Sequence, residues 1–333
     1  MKWWLGAVLL LGAAAGLSLW QRQELLRAVS LLSQAGVAQV SVAVGLQSLS
    51  LVCFAVVPHG LLRSGGARLR LRHLVAMAVA GNAVAGALPG GAAFATAWMF
   101  RQLTRRHVSA ALTVTALMLS GVLSFLALAL LLVTGIGVTG TLGTLGFLLP
   151  AVAVTVLAVG SCVTVVLVWR SAHFRAAVLR LARRATRRSP RLLRAQAALD
   201  QVISQAASLR QTARSWSVQA SAAVLNWLCD AACLAACLWA LGIAVPWAGL
   251  LLAYSFTQVP GSLRLTPGSL GVVEVSLSAL LVLHGLSAGQ AIAGTLLYRM
   301  VSYWALQPIG WGCWFGVSFL GTGRRRLTWR GPG

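Results

Sequence analysis

The stretch LTPGSLGVVE, residues 265–274, sets a proline, two glycines and an acid inside a run that is otherwise almost unbroken hydrocarbon. The whole chain has only four acidic residues, so Glu274 is not background. A helix in lipid has no water to satisfy its backbone. An interruption of this kind survives only where it is buried in protein or lines a wet cavity. How this stretch is read therefore decides between a plain bundle of spanning helices and a bundle organised around broken ones.

The surrounding composition puts the stretch in a bilayer. Hydrophobic residues make up 59% of the chain and charged residues 9%, against about a quarter charged in soluble domains. The mean hydropathy is +0.84. Runs free of acidic and basic residues cover 3–20, 28–62, 74–100, 108–134 and 146–169 in the first half of the chain. Each is near or above the roughly 17 to 25 residues a spanning helix needs. Further runs follow at 215–263, broken only by Asp230, at 265–298, broken only by Glu274, and at 300–323. The expected fold is an all-α polytopic integral membrane protein of about eight to ten hydrophobic helices. The run 3–20 exceeds a typical signal-peptide core and reads as a retained first helix, with cleavage near Ala15 the lesser alternative.

The net charge of +23 invites a nucleic-acid reading, but the basic residues fall in short blocks between apolar runs, at 63–72, 101–106, 170–194 and 324–330. That is the pattern of cytoplasmic loops, so nucleic acid is set aside as a partner. The uncharged connections 135–145 and 242–246 then read as external. Residues 191–214, with Leu192, Leu199, Val202, Ile203 and Leu209 at helical spacing, read as an amphipathic helix on the inner face. The resulting organisation is a first half-bundle over 1–169, a basic loop and amphipathic helix over 170–214, a second half-bundle over 215–323, and a cytoplasmic tail over 324–333.

Topology sharpens the opening stretch. The run 74–100 is basic at both flanks, so one crossing would put arginine blocks on opposite sides. Its middle holds Leu88-Pro89-Gly90-Gly91, and proline followed by glycine stops a helix and permits reversal. Each arm is then about 20 Å long, short of a bilayer core of about 30 Å. The expectation is a re-entrant hairpin, with an interrupted counterpart over 247–284 that breaks at Pro267-Gly268; parity allows it two short crossings or a hairpin dipping from outside, and on the second choice the two breaks face each other from opposite leaflets. Two Pro-Gly interruptions in corresponding places point to an inverted-repeat transport fold, with the site where the broken helices meet.

Asp230 and Glu274 lie in apolar runs, and Arg264 and Arg299 stand between the late spans. Charges there cost at least about 2.5 to 3.5 kcal/mol each at the bilayer centre, so they pair and mark pathways. Glu274 is expected to pair with Arg299 or Arg264. Cys229, Cys233 and Cys237 share one helix face but cannot close a tetrahedral metal site, so they read as packing residues. His284, beside Gly285, reads as a helix-end residue.

At this level the residues resemble a known family. Residues 265–304 are similar to the signature of the lysylphosphatidylglycerol synthase transmembrane-region (flippase-like) family, through Pro267, Gly268, Leu270, Gly271 and Glu274, then Leu297, Tyr298, Arg299, Ser302, Tyr303 and Trp304. Residues 226–242 resemble its Trp-x-x-Asp helix, placing Asp230 on the acid. Residues 81–101 resemble its first-half motif, with Asn82, Pro89, Gly90, Gly91 and Arg101. Where many relatives carry an acid and paired asparagines near the first break, this chain has Ala92, Ala93 and Phe94 and a single Asn82.

The resemblance implies the handling of lipid headgroups. The candidate substrate-binding set is Asn82, Pro89, Gly90, Gly91, Arg101, Asp230, Arg264, Pro267, Gly268, Gly271, Glu274, Tyr298 and Arg299. The arginines would meet phosphate, and the two acids would balance a cationic headgroup or hold the arginines. No catalytic residue, metal ligand or cofactor is expected. The family's aminoacyltransferase domain follows the membrane region, and this sequence stops ten residues past its last span, so it is expected to act as a transporter rather than an enzyme. No nucleotide-binding loop is visible, which implies facilitated or gradient-coupled movement. Expected partners are membrane lipids, anionic phospholipid foremost, with a second copy of the chain, or a synthase or glycosyltransferase, as protein partners. Three functions stay open: movement of an aminoacyl-phosphatidylglycerol-like lipid, movement of polyprenyl-phosphate-linked sugars, and an accessory scaffold that transports nothing.

Overall fold

A computed structural model describes residues 30–139, 212–263 and 266–319. The run 3–20, the run 146–169, the basic loop with most of its amphipathic helix, Arg264 and the tail 324–333 lie outside the described residues. Every regular element among the described residues is helical. In chain order these are α1 (Val37–Ser64), α2 (Leu71–Ala87), α3 (Gly91–Thr104), α4 (Ala110–Thr139), α5 (Ala213–Ala240), α6 (Trp247–Leu263), a 3-10 turn (Pro267–Ser269), α7 (Val272–Leu283), α8 (Ala288–Arg299), a π turn (Met300–Trp304) and α9 (Leu306–Phe319).

Three helices, α1, α4 and α5, are long and apolar enough to cross a membrane, at 28, 30 and 28 residues. At 1.5 Å per residue each reaches about 42 Å or more, beyond the roughly 30 Å hydrocarbon core. The exterior is as apolar as the interior: Val42, Leu49, Leu130, Val133 and Phe315 are exposed, whereas Ala43, Leu61, Leu132, Leu234 and Leu238 are buried. Water would not tolerate that outer face, and lipid does. α5 packs along α1 and also touches α4 and α8, which makes it the centre of the bundle. Small residues let backbones approach, as expected between membrane helices. A side chain on Gly135 of α4 would come within 2.8 Å of the Leu252 backbone nitrogen on α6.

That contact corrects one boundary. The neutral segment 135–145 was expected to be a connection, yet α4 continues through Thr139. Gly135 serves close packing against α6 rather than a turn. The connection at 242–246 is a loop as expected. The separate runs 265–298 and 300–323 are also redrawn, because the chain stays helical through Arg299 and the break comes earlier, at Gly285. His284 caps the end of α7, with its backbone N–H on Leu280 and its ring against Gly249 near the start of α6.

The short helices pair as hairpins. In α6 and α7, Gly249 lies against His284 at one end and Gly261 against Val273 at the other, so the two run antiparallel from a tip at Pro267–Ser269. α2 and α3 pack together across the Leu88–Gly90 break, and His73 at the base of α2 lies in the field of Arg106 just beyond α3. With 17, 14, 17 and 12 residues, these arms are about 18 to 26 Å long.

Candidate functional site

The two Pro-Gly breaks fold into the same turn. At the first, the Gly91 N–H donates to the Leu88 carbonyl at 3.0 Å, and Gly90 sits at φ 66, ψ 18. At the second, the Ser269 N–H donates to the Thr266 carbonyl at 3.0 Å, and Gly268 sits at φ 62, ψ 12. Proline at the second turn position, glycine with positive φ at the third, and an i to i+3 bond are the features of a type II turn. The sequence dictates this locally: proline fixes its own φ and lacks the donor a helix would need, and only glycine enters the left-handed region without strain.

The turns converge on one residue. The Tyr303 hydroxyl donates to the Gly86 carbonyl at 3.0 Å, one turn before the first break. A side chain on Gly86 or on Gly268 would strike the Tyr303 ring or its hydroxyl. The end of α2 accordingly packs on the Pro267–Ser269 turn. Tyr303 lies in the π turn, where the Ala305 N–H reaches back five residues to the Met300 carbonyl at 2.8 Å. Such a widened turn re-aims the side chains of a helix and is frequent at functional sites.

On the same segment, Arg299 is 8% exposed and held against the second break. Its Nε donates to Glu274 Oε1 at 2.7 Å, and its Nη2 donates to the Gly268 carbonyl at 2.6 Å. Its guanidinium lies 4.5 Å from the centre of the Tyr303 ring, an attractive cation–π distance. Glu274 is held in turn: its Oε2 accepts the Gly271 N–H at 2.7 Å, which satisfies a donor at the start of α7 and places a negative charge at the positive end of the helix.

Asp230, on α5, gathers a second cluster. Its Oδ2 accepts from the Tyr254 hydroxyl at 2.6 Å and from Gln258 Nε2 at 3.3 Å. Its Oδ1 accepts from the Tyr298 hydroxyl at 3.1 Å, and Gln258 Nε2 also reaches the Tyr298 oxygen at 3.0 Å. Three helices, α5, α6 and α8, are tied through one carboxylate. Between this cluster and the breaks lies a cavity of about 380 Å³, within the roughly 300 to 1,000 Å³ of ligand sites. Gln47, Asn82 and Thr96 reach it from one part of the chain and Asn226, Asp230 and Gln258 from the other.

Of the candidate residues, Asn82, Asp230, Gly268, Tyr298 and Arg299 line this cavity. Glu274 stands behind Arg299 and holds it. Gly91 is buried against the Ala85 carbonyl, whereas Pro89 and Gly90 are exposed at the tip of the first turn and Gly271 is exposed at the start of α7. Pro267 supplies the second turn. Arg101 is exposed in the last turn of α3, away from the cavity lining. Gln47, Tyr254 and Gln258 join the site without having been expected there; for the two glutamines, an amide within an apolar run was the available signal.

No curated protein is similar enough to the chain to count as a relative. The sequence pattern described as Lysylphosphatidylglycerol synthase TM region matches residues 3–310, which covers both breaks, the Asp230 cluster and the Glu274–Arg299 pair. This multi-pass membrane protein therefore belongs to the lysylphosphatidylglycerol synthase transmembrane-region family.

Proposed function

We propose that this protein moves a phospholipid between leaflets, the headgroup passing through the cavity while the acyl chains stay in the bilayer. The observation that carries the reading is the polar cavity where two matched helix breaks meet, inside a bundle whose outer face is apolar. Irregular backbone at membrane depth belongs at such wet cavities, and broken helices meeting near the middle of a bundle are how transport folds build their sites. The short arms of α2/α3 and α6/α7 act as re-entrant hairpins from opposite leaflets. The cargo is a lipid of the phosphatidylglycerol class, with or without an aminoacyl group. The protein works as a transporter in the plasma membrane, with its arginine-rich loops on the cytoplasmic side, where they attract anionic lipid.

Glu274→Gln tests this. The amide still accepts the Gly271 N–H but no longer neutralises Arg299, and one charge-assisted hydrogen bond is worth about 1.5 kcal/mol or more. Translocation of fluorescently labelled phosphatidylglycerol in proteoliposomes is expected to fall about tenfold, with the protein still monodisperse. Unchanged flux would remove the role assigned to the pair.

A further inference from the structure

A second cavity opens at one end of the α1–α5 pair. These helices run antiparallel. The Gly36 N–H just before α1 donates to the Ala240 carbonyl at the end of α5 at 2.9 Å. Near the other end, a side chain on Gly60 would come within 2.7 Å of Gln219 Nε2. Around that contact the last turns of α1 and the first turns of α5 line a space of about 780 Å³, which shares no lining residue with the cavity between the breaks.

Each helix brings one arginine to it. Arg63 comes from the last turn of α1, where a cation suits the negative end of a helix. Arg214 stands in the first turn of α5, at the positive end, with no acid in that turn to offset it. Among the described residues neither guanidinium makes an ion pair or a side-chain hydrogen bond. Two cations and a helix N-terminus on one cavity repel one another, and a bound anion relieves that repulsion.

The rest of the lining says what carries the anion. Val56, two turns before Arg63, and Val218, one turn after Arg214, line the same cavity, so its surface passes from guanidinium to valine over roughly 6 to 10 Å of helix. α1 has 28 residues, about 42 Å, so when centred it passes a hydrocarbon core of about 30 Å by roughly 6 Å at each end. Arg63 then lies at the depth of lipid phosphates and Val56 just inside the acyl region. A free phosphate uses the arginines alone, whereas a phospholipid uses both parts of the wall.

We infer that this cavity binds the phosphate of a membrane phospholipid between Arg63 and Arg214, with the glycerol and acyl chains along Val56 and Val218. Guanidinium groups pair bidentately with phosphate. The site stands apart from the translocation reading, so it is tested in a full chain carrying Thr96→Trp, which fills the cavity between the breaks that Thr96 lines. This chain, in neutral detergent, is titrated with dioctanoyl phosphatidylglycerol, dioctanoylglycerol and inorganic phosphate. The phospholipid is expected to bind at least about tenfold more tightly than either of the others. Adding Arg214→Gln should weaken it about tenfold, the worth of one charge-assisted hydrogen bond. Adding Arg72→Gln, which removes an exposed arginine outside the cavity, should change it by less than about twofold.

Inorganic phosphate binding as tightly as the phospholipid would overturn the lipid assignment, and so would equal binding of dioctanoylglycerol. Equal effects of Arg214→Gln and Arg72→Gln would reduce the site to general charge attraction. If the Thr96→Trp chain does not purify, native mass spectrometry of the otherwise wild-type chain decides. One phosphatidylglycerol fewer is expected on Arg214→Gln than on Arg72→Gln, and equal numbers would overturn the site.

Discussion

Arg299→Ala is expected to lower the melting temperature of the detergent-solubilised protein by about 4 to 7 °C, the shift that about 3 to 5 kcal/mol produces in a chain of this size. The side chain neutralises Glu274, holds the Gly268 carbonyl and lies over the Tyr303 ring. Removing it strands a carboxylate whose side chain is 21% exposed and frees the second break from its main tether. Breaking one partner of a buried pair costs more than deleting both, because the remaining charge has lost its solvent and its counterion. Arg299→Ala combined with Glu274→Gln should therefore recover part of the loss. A single variant that melts within a degree or two of wild type would show that the pair contributes little to holding the break.

Gly268→Val is expected to do more, leaving little monodisperse protein. The position has φ 62, where a β-branched residue is strained, and its Cβ would strike the Tyr303 hydroxyl that bridges to the first break. Gly271→Ala separates the two causes. Gly271 also has positive φ, at 82, but has nothing within 4 Å of an added Cβ, so only backbone strain of about 1 to 3 kcal/mol applies. Comparable yields of Gly268→Val and Gly271→Ala by size-exclusion chromatography would mean that contact between the breaks is not needed for folding.

Much of this arrangement was legible in the chain. Proline followed by glycine announces its turn wherever it falls, so both breaks could be placed to the residue. The scarcity of acids made Asp230 and Glu274 conspicuous, and of the two arginines offered to Glu274 the structure supplies Arg299. The contact between Tyr303 and Gly86 was not legible. It joins residues 217 positions apart, and in helices surrounded by lipid the apolar pattern does not say which face packs. The π turn was also hidden, because the sequence from Met300 to Trp304 reads as ordinary apolar helix. Gly135 misled for a related reason: a glycine that ends a helix and one that admits a neighbouring backbone look alike in sequence, and here α4 needs the second.

Arg101 and Arg299 were both expected to meet phosphate. Arg101 stays at the exposed base of α3, and Arg299 is committed to Glu274 and Gly268. The cavity that results is lined by neutral polar groups together with Asp230 and an Arg299 already paired with Glu274.

The rate of phospholipid movement in proteoliposomes containing wild type or Thr96→Trp tests the cavity most directly. Thr96 lines it from α3 and spends its hydroxyl only on the Ala92 carbonyl of its own helix, so tryptophan fills the space without breaking a tertiary bond. Wild type is expected to accelerate movement over protein-free vesicles, and Thr96→Trp to return it to the protein-free rate while keeping the wild-type melting temperature. Equal rates for a folded Thr96→Trp and wild type would contradict passage through this cavity.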